Sequence, residues 1–182
     1  MGDWNGDGVK TPGIFRDGTW YLRNSNTTGQ ADVTFSYGDP GDLPIVGDWN
    51  GDGTHTPGVF RAGTWYLRNS NTTGPADITF RYGDPGDTPI VGDWNGDGTD
   101  TPGVFRAGTW YLRNSNSTGA ADITFRYADA NDLPVVGDWN GDTTDTPGVF
   151  RAGAWYLRNA NTTGVADVSF SYGDPSDRPS AR

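Results

Sequence analysis

The heptapeptide GDWNGDG constrains the fold more than any other feature, because it recurs at a fixed spacing. It begins at Gly2, Gly47 and Gly92, and a fourth copy that reads GDWNGDT begins at Gly137. The period is 45 residues, and the similarity extends over the whole repeat. Periods of about 20–50 residues are typical of solenoids, propellers and arrays. We therefore expect a single domain over residues 1–182, made of the repeats 2–46, 47–91, 92–136 and 137–182.

Each repeat contains four short segments with the composition of β-strands. In the third repeat they are PIVGDW (Pro89–Trp94), GVFR (Gly103–Arg106), TWYLRN (Thr109–Asn114) and DITFRY (Asp122–Tyr127). They are rich in β-branched and aromatic residues, Gly, Pro, Asn or Asp lie between them, and nothing has helical spacing. Four such strands per repeat are typical of a propeller blade. The sequence therefore predicts an all-β fold, a β-propeller built from four 45-residue, four-stranded antiparallel blades.

The two ends of the chain bear on how the blades close into a ring. The first repeat keeps only MGDW of its first strand, whereas the last repeat continues into DRPSAR. We therefore expect Asp177–Arg182 to lie beside the first repeat and to complete its inner strand. A monomeric ring is the first expectation, because the repeat is small and its inner strand is short. A head-to-tail dimer that forms one eight-bladed ring is the alternative.

Composition excludes several classes of function. The chain has no cysteine, and His55 is its single histidine, so thiolate zinc sites and multi-histidine metal sites are excluded. The net charge of −10 disfavours nucleic acid and anionic membranes as partners. No apolar run approaches the roughly 20 residues of a membrane span. We expect neither nucleic-acid binding nor membrane insertion.

The loop that contains the heptapeptide has the start of a calcium-binding pattern. Counted from its first aspartate, it has side-chain oxygens at positions 1, 3 and 5, and glycine at position 6 in three copies. A hard cation takes about 6–8 oxygens, and glycine permits the turn that brings the carbonyl of position 7 toward the ion. Position 9 is threonine. We predict one Ca2+ per blade, up to four. The predicted ligands are Asp3, Asn5, Asp7, Val9 and Thr11; Asp48, Asn50, Asp52, Thr54 and Thr56; Asp93, Asn95, Asp97, Thr99 and Thr101; and Asp138, Asn140, Asp142, Thr144 and Thr146.

Two observations limit this interpretation. The chain has no glutamate, so it lacks the bidentate ligand that ends a helix–loop–helix calcium site. Asp, Asn and Gly also form ordinary turns, but four copies that keep all three oxygen positions favour a metal.

The four sites are not expected to bind equally. Thr143 replaces glycine at position 6, where a positive φ is expected, and predicts that the fourth site is the weakest. Asp100 within the third loop predicts that the third site is the strongest.

The segment IVGDWNGDGTDTPGVFR resembles the calcium-loop segment of FG-GAP and related VCBS-type repeats, and the resemblance covers all four repeats. Those repeats form blades of integrin-like propellers and of many bacterial surface and secreted proteins. The resemblance implies one calcium between the first and second strands of each blade, with ligands in the third repeat at Asp93, Asn95, Asp97, the carbonyl of Thr99, and Thr101. The family often has Asp at positions 3 and 9, so Asn and Thr here lower the charge of the site. An extracellular location, secreted or on a bacterial cell surface, is also implied.

The fourfold repetition favours binding over catalysis. A catalytic site needs an asymmetric set of acid, base or nucleophile, and every polar feature here is repeated, so we expect no enzyme. The expected function is a non-catalytic extracellular binding or adhesion module whose loops Ca2+ rigidifies, with a glycan or a protein as partner. The alternatives are a carbohydrate-binding lectin that uses repeated Trp, Tyr, Arg and Asn surfaces, and a structural spacer. Two sets of tryptophans serve either as packing between blades or as sugar platforms: Trp4, Trp49, Trp94 and Trp139, and Trp20, Trp65, Trp110 and Trp155.

Overall fold

The computed structural model describes residues 1–179, and its regular structure within that range consists of antiparallel β-strands without a helix. The strands form four sheets, which are the blades of a β-propeller, so the predicted all-β class and the four antiparallel blades are confirmed. Blade 1 contains β1 (Gly13–Arg16), β2 (Thr19–Leu22) and β3 (Val33–Ser36); blade 2 contains β4 (Leu43–Gly47), β5 (Thr56–Arg61), β6 (Thr64–Leu67) and β7 (Ile78–Arg81). Blade 3 contains β8 (Thr88–Gly92), β9 (Thr101–Arg106), β10 (Thr109–Leu112) and β11 (Ile123–Arg126); blade 4 contains β12 (Leu133–Gly137), β13 (Thr146–Arg151), β14 (Ala154–Leu157) and β15 (Val168–Ser171).

Blade 1 differs from the other three because it has three strands. Within the described residues, β1 pairs with β2 alone, and an isolated bridge between Gly2 and Thr11 is the remnant of a first strand. The predicted completion of this blade by Asp177–Arg182 falls partly outside the described residues. Ring closure therefore stays a prediction.

The chain forms two compact units. The first contains Met1–Gly86, Gly98–Asp100 and Asn116–Gly119, and the second contains Asp87–Asp97, Thr101–Ser115 and the residues from Ala120 onward. Blades 1 and 2 lie in the first unit, and blades 3 and 4 lie in the second. The single-domain organisation over residues 1–182 stays a prediction. Within residues 1–179, no helix has the length and the apolar character that crossing a bilayer requires.

A row of three aromatic rings crosses each blade. In blade 3, Trp110 on β10 is in register with Phe105 on β9 and with Phe125 on β11. The centroids of Trp110 and Phe105 are 5.5 Å apart at 67°, and those of Trp110 and Phe125 are 6.1 Å apart at 6°. Trp110 and Leu112 are fully buried on one face, as the alternation in the sequence predicts. Edge-to-face and offset ring pairs stabilise beyond their buried area, so a few large side chains form much of the core.

Several strand boundaries differ from the prediction by one or two residues, and the two beside the loop of blade 3 have a physical cause. The first strand of blade 3 ends at Gly92 rather than at Trp94, and the second begins at Thr101 rather than at Gly103. Gly92 and Thr101 are a register pair, so they close the base of the loop between them. Asp93 leaves the strand because its carboxylate accepts hydrogen bonds from the loop backbone, as described below.

The face of one blade packs on the next blade within each unit. In the first unit, Trp20, Phe35 and Tyr37 of blade 1 form a cluster with Val59 of blade 2, against which Val46, Tyr66 and Ala76 also pack. In the second unit, blade 3 packs in the same way on Val149, Tyr156 and Ala166 of blade 4. The packing interpretation is therefore confirmed for Trp4, Trp20, Trp94 and Trp110, which belong to these clusters. Trp49 and Trp65 are also buried, and the two tryptophans of blade 4 are partly exposed.

A buried aspartate begins blades 2, 3 and 4. Asp42, before β4, accepts hydrogen bonds from Nε and Nη2 of Arg61 at 2.6 and 2.7 Å, and its Oδ2 also accepts from the backbone N–H of Asp39 at 2.8 Å. Asp87 with Arg106 and Asp132 with Arg151 repeat this paired geometry at 2.6 Å. Burial raises the pKa of Asp42, but the bonds from Arg61 and from the Asp39 N–H outweigh it, so the net pKa is lowered.

We expect Asp42→Asn to lower the free energy of unfolding by about 2 kcal/mol at neutral pH, because the buried partner of Arg61 loses its charge. The unfolded pKa of aspartate is about 3.9, and the folded pKa is lower. The stabilisation is therefore fully present above the unfolded value and disappears as the pH falls through the folded value. Denaturant unfolding of both proteins at neutral and acidic pH checks this expectation.

Asp39→Asn is the matched control, since the Asp39 side chain is 68% exposed and pairs with the same guanidinium. We expect its effect to stay below about 1 kcal/mol, as for other exposed pairs. Equal losses in the two variants, or a loss in Asp42→Asn that does not change with pH, would contradict the assignment.

Candidate metal-binding loops

Each predicted calcium loop joins the first and second strand positions of a blade. We number them loop 1 (3–11), loop 2 (48–56), loop 3 (93–101) and loop 4 (138–146). The aspartate at position 1 folds the loop around its carboxylate. In loop 1, Oδ1 of Asp3 accepts from the N–H groups of Gly6 and Asp7 at 2.8 and 3.1 Å, and Oδ2 accepts from Gly8 at 2.7 Å. Burial raises the pKa of Asp3, but these N–H donors together lower it.

The side chains of positions 3 and 5 contact each other at the exposed surface of every loop. Nδ2 of Asn5 donates to Oδ2 of Asp7 at 3.0 Å, and the same bond measures 2.9 Å in the other three loops. The other oxygen of Asp7 accepts from the N–H of Val9 at position 7. Rotating the amide of Asn5 by half a turn exchanges its nitrogen and oxygen, which brings the amide oxygen beside the carboxylate. In loop 2, the Asn50 amide, followed by the Thr54 N–H, lowers the pKa of Asp52.

The threonines at position 9 point elsewhere. Thr11 is buried, and its hydroxyl bonds with the carbonyl of Arg23 at 2.5 Å and the carbonyl of Gly2 at 3.4 Å. The hydroxyls of Thr56, Thr101 and Thr146 likewise donate to the glycine that precedes each loop, at 3.3–3.4 Å. These threonines begin the second strand of blades 2, 3 and 4, so their side chains lie in the sheet. The structure therefore does not bring this predicted position to the carboxylates.

The donor set fits a hard cation at positions 1, 3 and 5. Among residues 1–179, no group of three or more His, Cys, Asp or Glu side chains is arranged to hold a metal. Each predicted set contains only two carboxylates, and its other members are an amide and backbone or hydroxyl oxygens. Carboxylate, amide and carbonyl oxygens are the ligands that Ca2+ takes. Positions 1, 3, 5 and 7 have this chemistry, and the threonine of position 9 faces away.

The following repeat holds each of the first three loops. The backbone N–H of His55 donates to the carbonyl of Asp3 at 2.7 Å, and Asp100 makes the equivalent bond to Asp48 at 2.8 Å. Oδ2 of Asp100 also accepts from the N–H of Asp48 at 2.7 Å. In the second unit, Asp145 makes both bonds to Asp93, at 2.8 and 3.0 Å.

The position of Asp100 corrects the reason for predicting that the third calcium site is the strongest. The sequence assigns the charge of Asp100 to its own loop, but the carboxylate lies against loop 2, one repeat earlier. Asp145 adds its charge to loop 3, and His55 occupies the equivalent position at loop 1. Position 8 varies among the repeats, and nothing in the sequence indicates that it contacts a different repeat.

A repeated asparagine makes the second contact between repeats, and sequence reasoning missed it. Nδ2 of Asn71 donates to the carbonyls of Trp4 and His55 at 3.0 and 3.2 Å. Asn116 holds loop 2 in this way, and Asn161 holds loop 3. The only signal in the sequence is the recurrence of N-x-[ST], which indicates glycosylation more directly than packing.

The repeated arginine of the WYLRN segment also has a structural role. The guanidinium of Arg68 donates to the carbonyls of Thr72, Thr73 and Pro75 and to the hydroxyl of Thr72, at 2.6–3.1 Å. Asp77 closes the same loop by accepting from the N–H of Asn69 at 2.8 Å. Arg68 is buried, so its donors are directed at its own loop and not at a sugar hydroxyl.

No protein-family model, curated protein or solved structure matches this chain. The resemblance to FG-GAP and VCBS-type repeats therefore stays a prediction.

Loop 4 contains the predicted backbone strain. Thr143 has φ 74°, where Gly8, Gly53 and Gly98 have φ 84–86°. A β-branched residue in the left-handed region costs roughly 1–3 kcal/mol of folded-state stability. Replacing it by glycine removes this strain, but part of the stability gained is lost because glycine is more flexible in the unfolded chain. We expect Thr143→Gly to raise the free energy of unfolding by about 1 kcal/mol in denaturant titrations. Thr144→Gly is the control, and an equal or larger gain there would contradict the explanation.

The contact of Asp100 with loop 2 gives a second expectation. Asp100→Ala removes the acceptor of the Asp48 N–H in a buried place, and we expect a loss of about 2 kcal/mol in the free energy of unfolding. Lys10→Ala changes the same repeat position at an exposed side chain, with an expected effect within about 0.5 kcal/mol. Similar values for the two variants in denaturant titrations would show that Asp100 does not hold the loop.

Proposed function

We propose that this chain is a calcium-binding propeller module that acts as a non-catalytic extracellular binding or adhesion domain. The observation that carries the proposal is the recurrence, in all four loops, of an exposed amide and carboxylate pair beside a carboxylate at position 1. The three side chains lie within one hydrogen-bonded turn in each loop. An ordinary turn needs one such aspartate, and the additional exposed oxygens at positions 3 and 5 favour a cation.

In loop 1, Asp3, Asn5, Asp7 and the carbonyl of Val9 would hold the ion. When bound, Ca2+ links these oxygens electrostatically and so rigidifies the connection between the first and second strands. Asp3 already fixes the backbone of the turn, because its two oxygens accept three N–H groups. Asn5 and Asp7 remain at the surface, where an ion can enter. The net charge of −10 also favours cation binding.

The distribution of polar groups supports binding rather than catalysis. Buried Arg68 donates to the backbone of its own loop, and buried Asp42 accepts from the partly exposed Arg61. The same partners recur in successive repeats, so none of these groups has the asymmetric environment that acid–base or nucleophilic chemistry requires. The repeated surface is better suited to contact one partner at several equivalent places.

A lectin is the second candidate, and a pair of grooves favours it. One groove in the first unit has a volume of about 300 Å³ and is lined by Tyr37, Asp39, Arg61 and Tyr66, among others. Its counterpart in the second unit has a volume of about 280 Å³. The guanidinium of Arg61 lies 5.3 Å from the centre of the Tyr66 ring. A sugar would contact this arginine and tyrosine, since the tryptophans are mostly buried, and a glycan array with calcium or with chelator tests the idea.

The calcium proposal predicts a stability that depends on the ion. A ligand that binds only the folded chain raises its stability by mass action. We expect chelator to lower the melting temperature, millimolar calcium to restore it, and calorimetric titration to show up to four sites. Asp52→Ala removes the exposed carboxylate of loop 2 and should reduce the number of sites by one.

Asp17→Ala is the matched control, because it removes the same charge outside the loops and introduces the alanine that the other repeats carry there. It should leave the number of sites unchanged. An identical melting curve in calcium and in chelator, together with no binding heat, would refute the proposal. Equal loss of calcium in both variants would indicate general attraction to the negative charge.

A further inference from the structure

Two faces of the chain expose apolar side chains that are buried at the equivalent positions of other blades. On blade 4, Phe170 is 45% exposed and Tyr172 is 75% exposed, whereas Phe35 and Tyr37 of blade 1 are each 7% exposed. On blade 1, Ile14 is 54% exposed, but the equivalent Val59 of blade 2 is 1% exposed. The first face is the one that packs on a following blade, and the second is the one that receives a preceding blade.

We propose that these two faces bind each other between two copies of the chain, head to tail. The exposed face of blade 4 in one copy packs on the exposed face of blade 1 in the second copy. We name them the donor face (Trp155, Val168, Phe170 and Tyr172) and the acceptor face (Pro12, Ile14, Tyr21 and Ala31). The argument for this association does not rest on the proposed calcium function.

The packing of blade 1 on blade 2 provides the geometry of this interface. There, Tyr37 belongs to the cluster that contains Val59, with Tyr66 and Ala76 packed against it. The positions of Val59, Tyr66 and Ala76 are occupied on the acceptor face, one repeat earlier, by Ile14, Tyr21 and Ala31. They line a cavity of about 400 Å³ on blade 1. Tyr172 of one copy corresponds to Tyr37, so its ring enters this cavity of the second copy.

Polar groups on the two faces also correspond to bonds that the chain makes elsewhere. The N–H of Ser36 donates to the hydroxyl of Thr73 at 3.1 Å in the first unit, and Arg126 and Thr163 repeat the bond at 3.3 Å in the second. The equivalent pair across the interface is the N–H of Ser171 and the hydroxyl of Thr28. This bond fixes the register of the donor face on the acceptor face.

Among residues 1–179, nothing provides loop 4 with the contacts from a following repeat that hold the other loops. Asp138 is exposed and its carboxylate bonds within its own loop, whereas Asp3 and Asp48 are buried. The residues equivalent to His55 and Asn71 are Lys10 and Asn26 of blade 1. In the proposed pair, the Lys10 N–H of the second copy donates to the carbonyl of Asp138, and Asn26 donates to that of Trp139. Loop 4 then gains the same support as the other loops.

An ion pair is also incomplete on each face. Arg16 of blade 1 is exposed and, within residues 1–179, has no aspartate partner such as Asp42 provides for Arg61. Asp177 is the equivalent aspartate after blade 4, and its Oδ2 already accepts from the N–H of Asp174 at 2.8 Å. The turn is therefore formed as it is around Asp42. Asp177 of one copy pairs with Arg16 of the other.

A second copy is the occupant because both faces are exposed in the single chain and match each other by sequence. An interface between different faces leads to a closed ring or to an open filament. Two copies with four blades each give eight blades, which is within the typical range of about 4–8 for propellers. A closed pair buries both donor faces and both acceptor faces, and it leaves no exposed face for further growth.

Sedimentation equilibrium of the whole chain over a dilution series tests the proposal. We expect the mass of two 19.5 kDa chains, falling to one chain only on strong dilution. Ile14→Arg and Tyr172→Arg each place a charge on an exposed side chain, so both variants should remain folded by circular dichroism and have half the wild-type mass. Leu43→Arg is the matched control: Leu43 is exposed, and Arg178 is the equivalent residue in the last repeat. Its mass should equal that of the wild type.

Mixing the two single-chain variants separates this interface from a general loss of stability. Each variant keeps one intact face, so one pair of intact faces forms in the mixture, and we expect species with the mass of two chains. A wild type that stays at the mass of one chain at all concentrations would overturn the proposal, as would masses that grow without limit. Absence of association in the mixture would also overturn it. The same measurement is made in calcium and in chelator. Absence of association in both conditions would overturn the interface, whereas the calcium proposal is judged separately by the binding heat and the melting curves.

Discussion

A blade of this chain cannot bury its own aromatic face, and this constraint determines most of the structure. Each blade is a single sheet of three or four short strands, and one side of its Trp and Phe row needs a neighbour. Within the first unit, that neighbour provides Val59 and adjacent side chains, and Trp20 becomes 2% exposed. Within residues 1–179, no blade covers this side of blade 4, and Phe170 of the row and the adjacent Tyr172 are exposed. Repeat proteins generally depend on such nearest-neighbour interfaces for their stability.

The same constraint connects the packing of the blades to the candidate metal loops. The residues that hold a loop come from the next repeat, as Asp100 holds Asp48 in loop 2. A loop is therefore ordered by the neighbour that also covers its blade, and loop 4 is the most exposed of the four. If these loops bind calcium, the ion and the next repeat stabilise the same turn, and the affinity of each site depends on its neighbour.

Periodicity predicted the blades because the 45-residue repeat and the alternation of Trp110 and Leu112 report directly on packing. The strand boundaries near Asp93 and Thr101 were shifted because the carboxylate binds the loop backbone and the threonine joins the sheet. The contacts of Asp100 and Asn116 with the preceding repeat could not be predicted, since a one-dimensional pattern does not show which repeat a polar side chain faces. The spacing of the oxygen-bearing side chains at loop positions 1, 3 and 5 is visible in the sequence. The orientation of the threonine hydroxyl at position 9 is not, because it depends on the strand register.

Residue-resolved hydrogen exchange of the outer strands in dilute solution tests most directly whether burial by the next blade stabilises each blade. The strands to compare are β3, β7, β11 and β15, which are equivalent by sequence. The inner residue of each strand, Phe35 in β3 for example, is buried in the first three blades and exposed as Phe170 in the fourth. We expect much faster exchange of the β15 amides than of the β3, β7 and β11 amides. Equal protection of all four strands in dilute solution would contradict it.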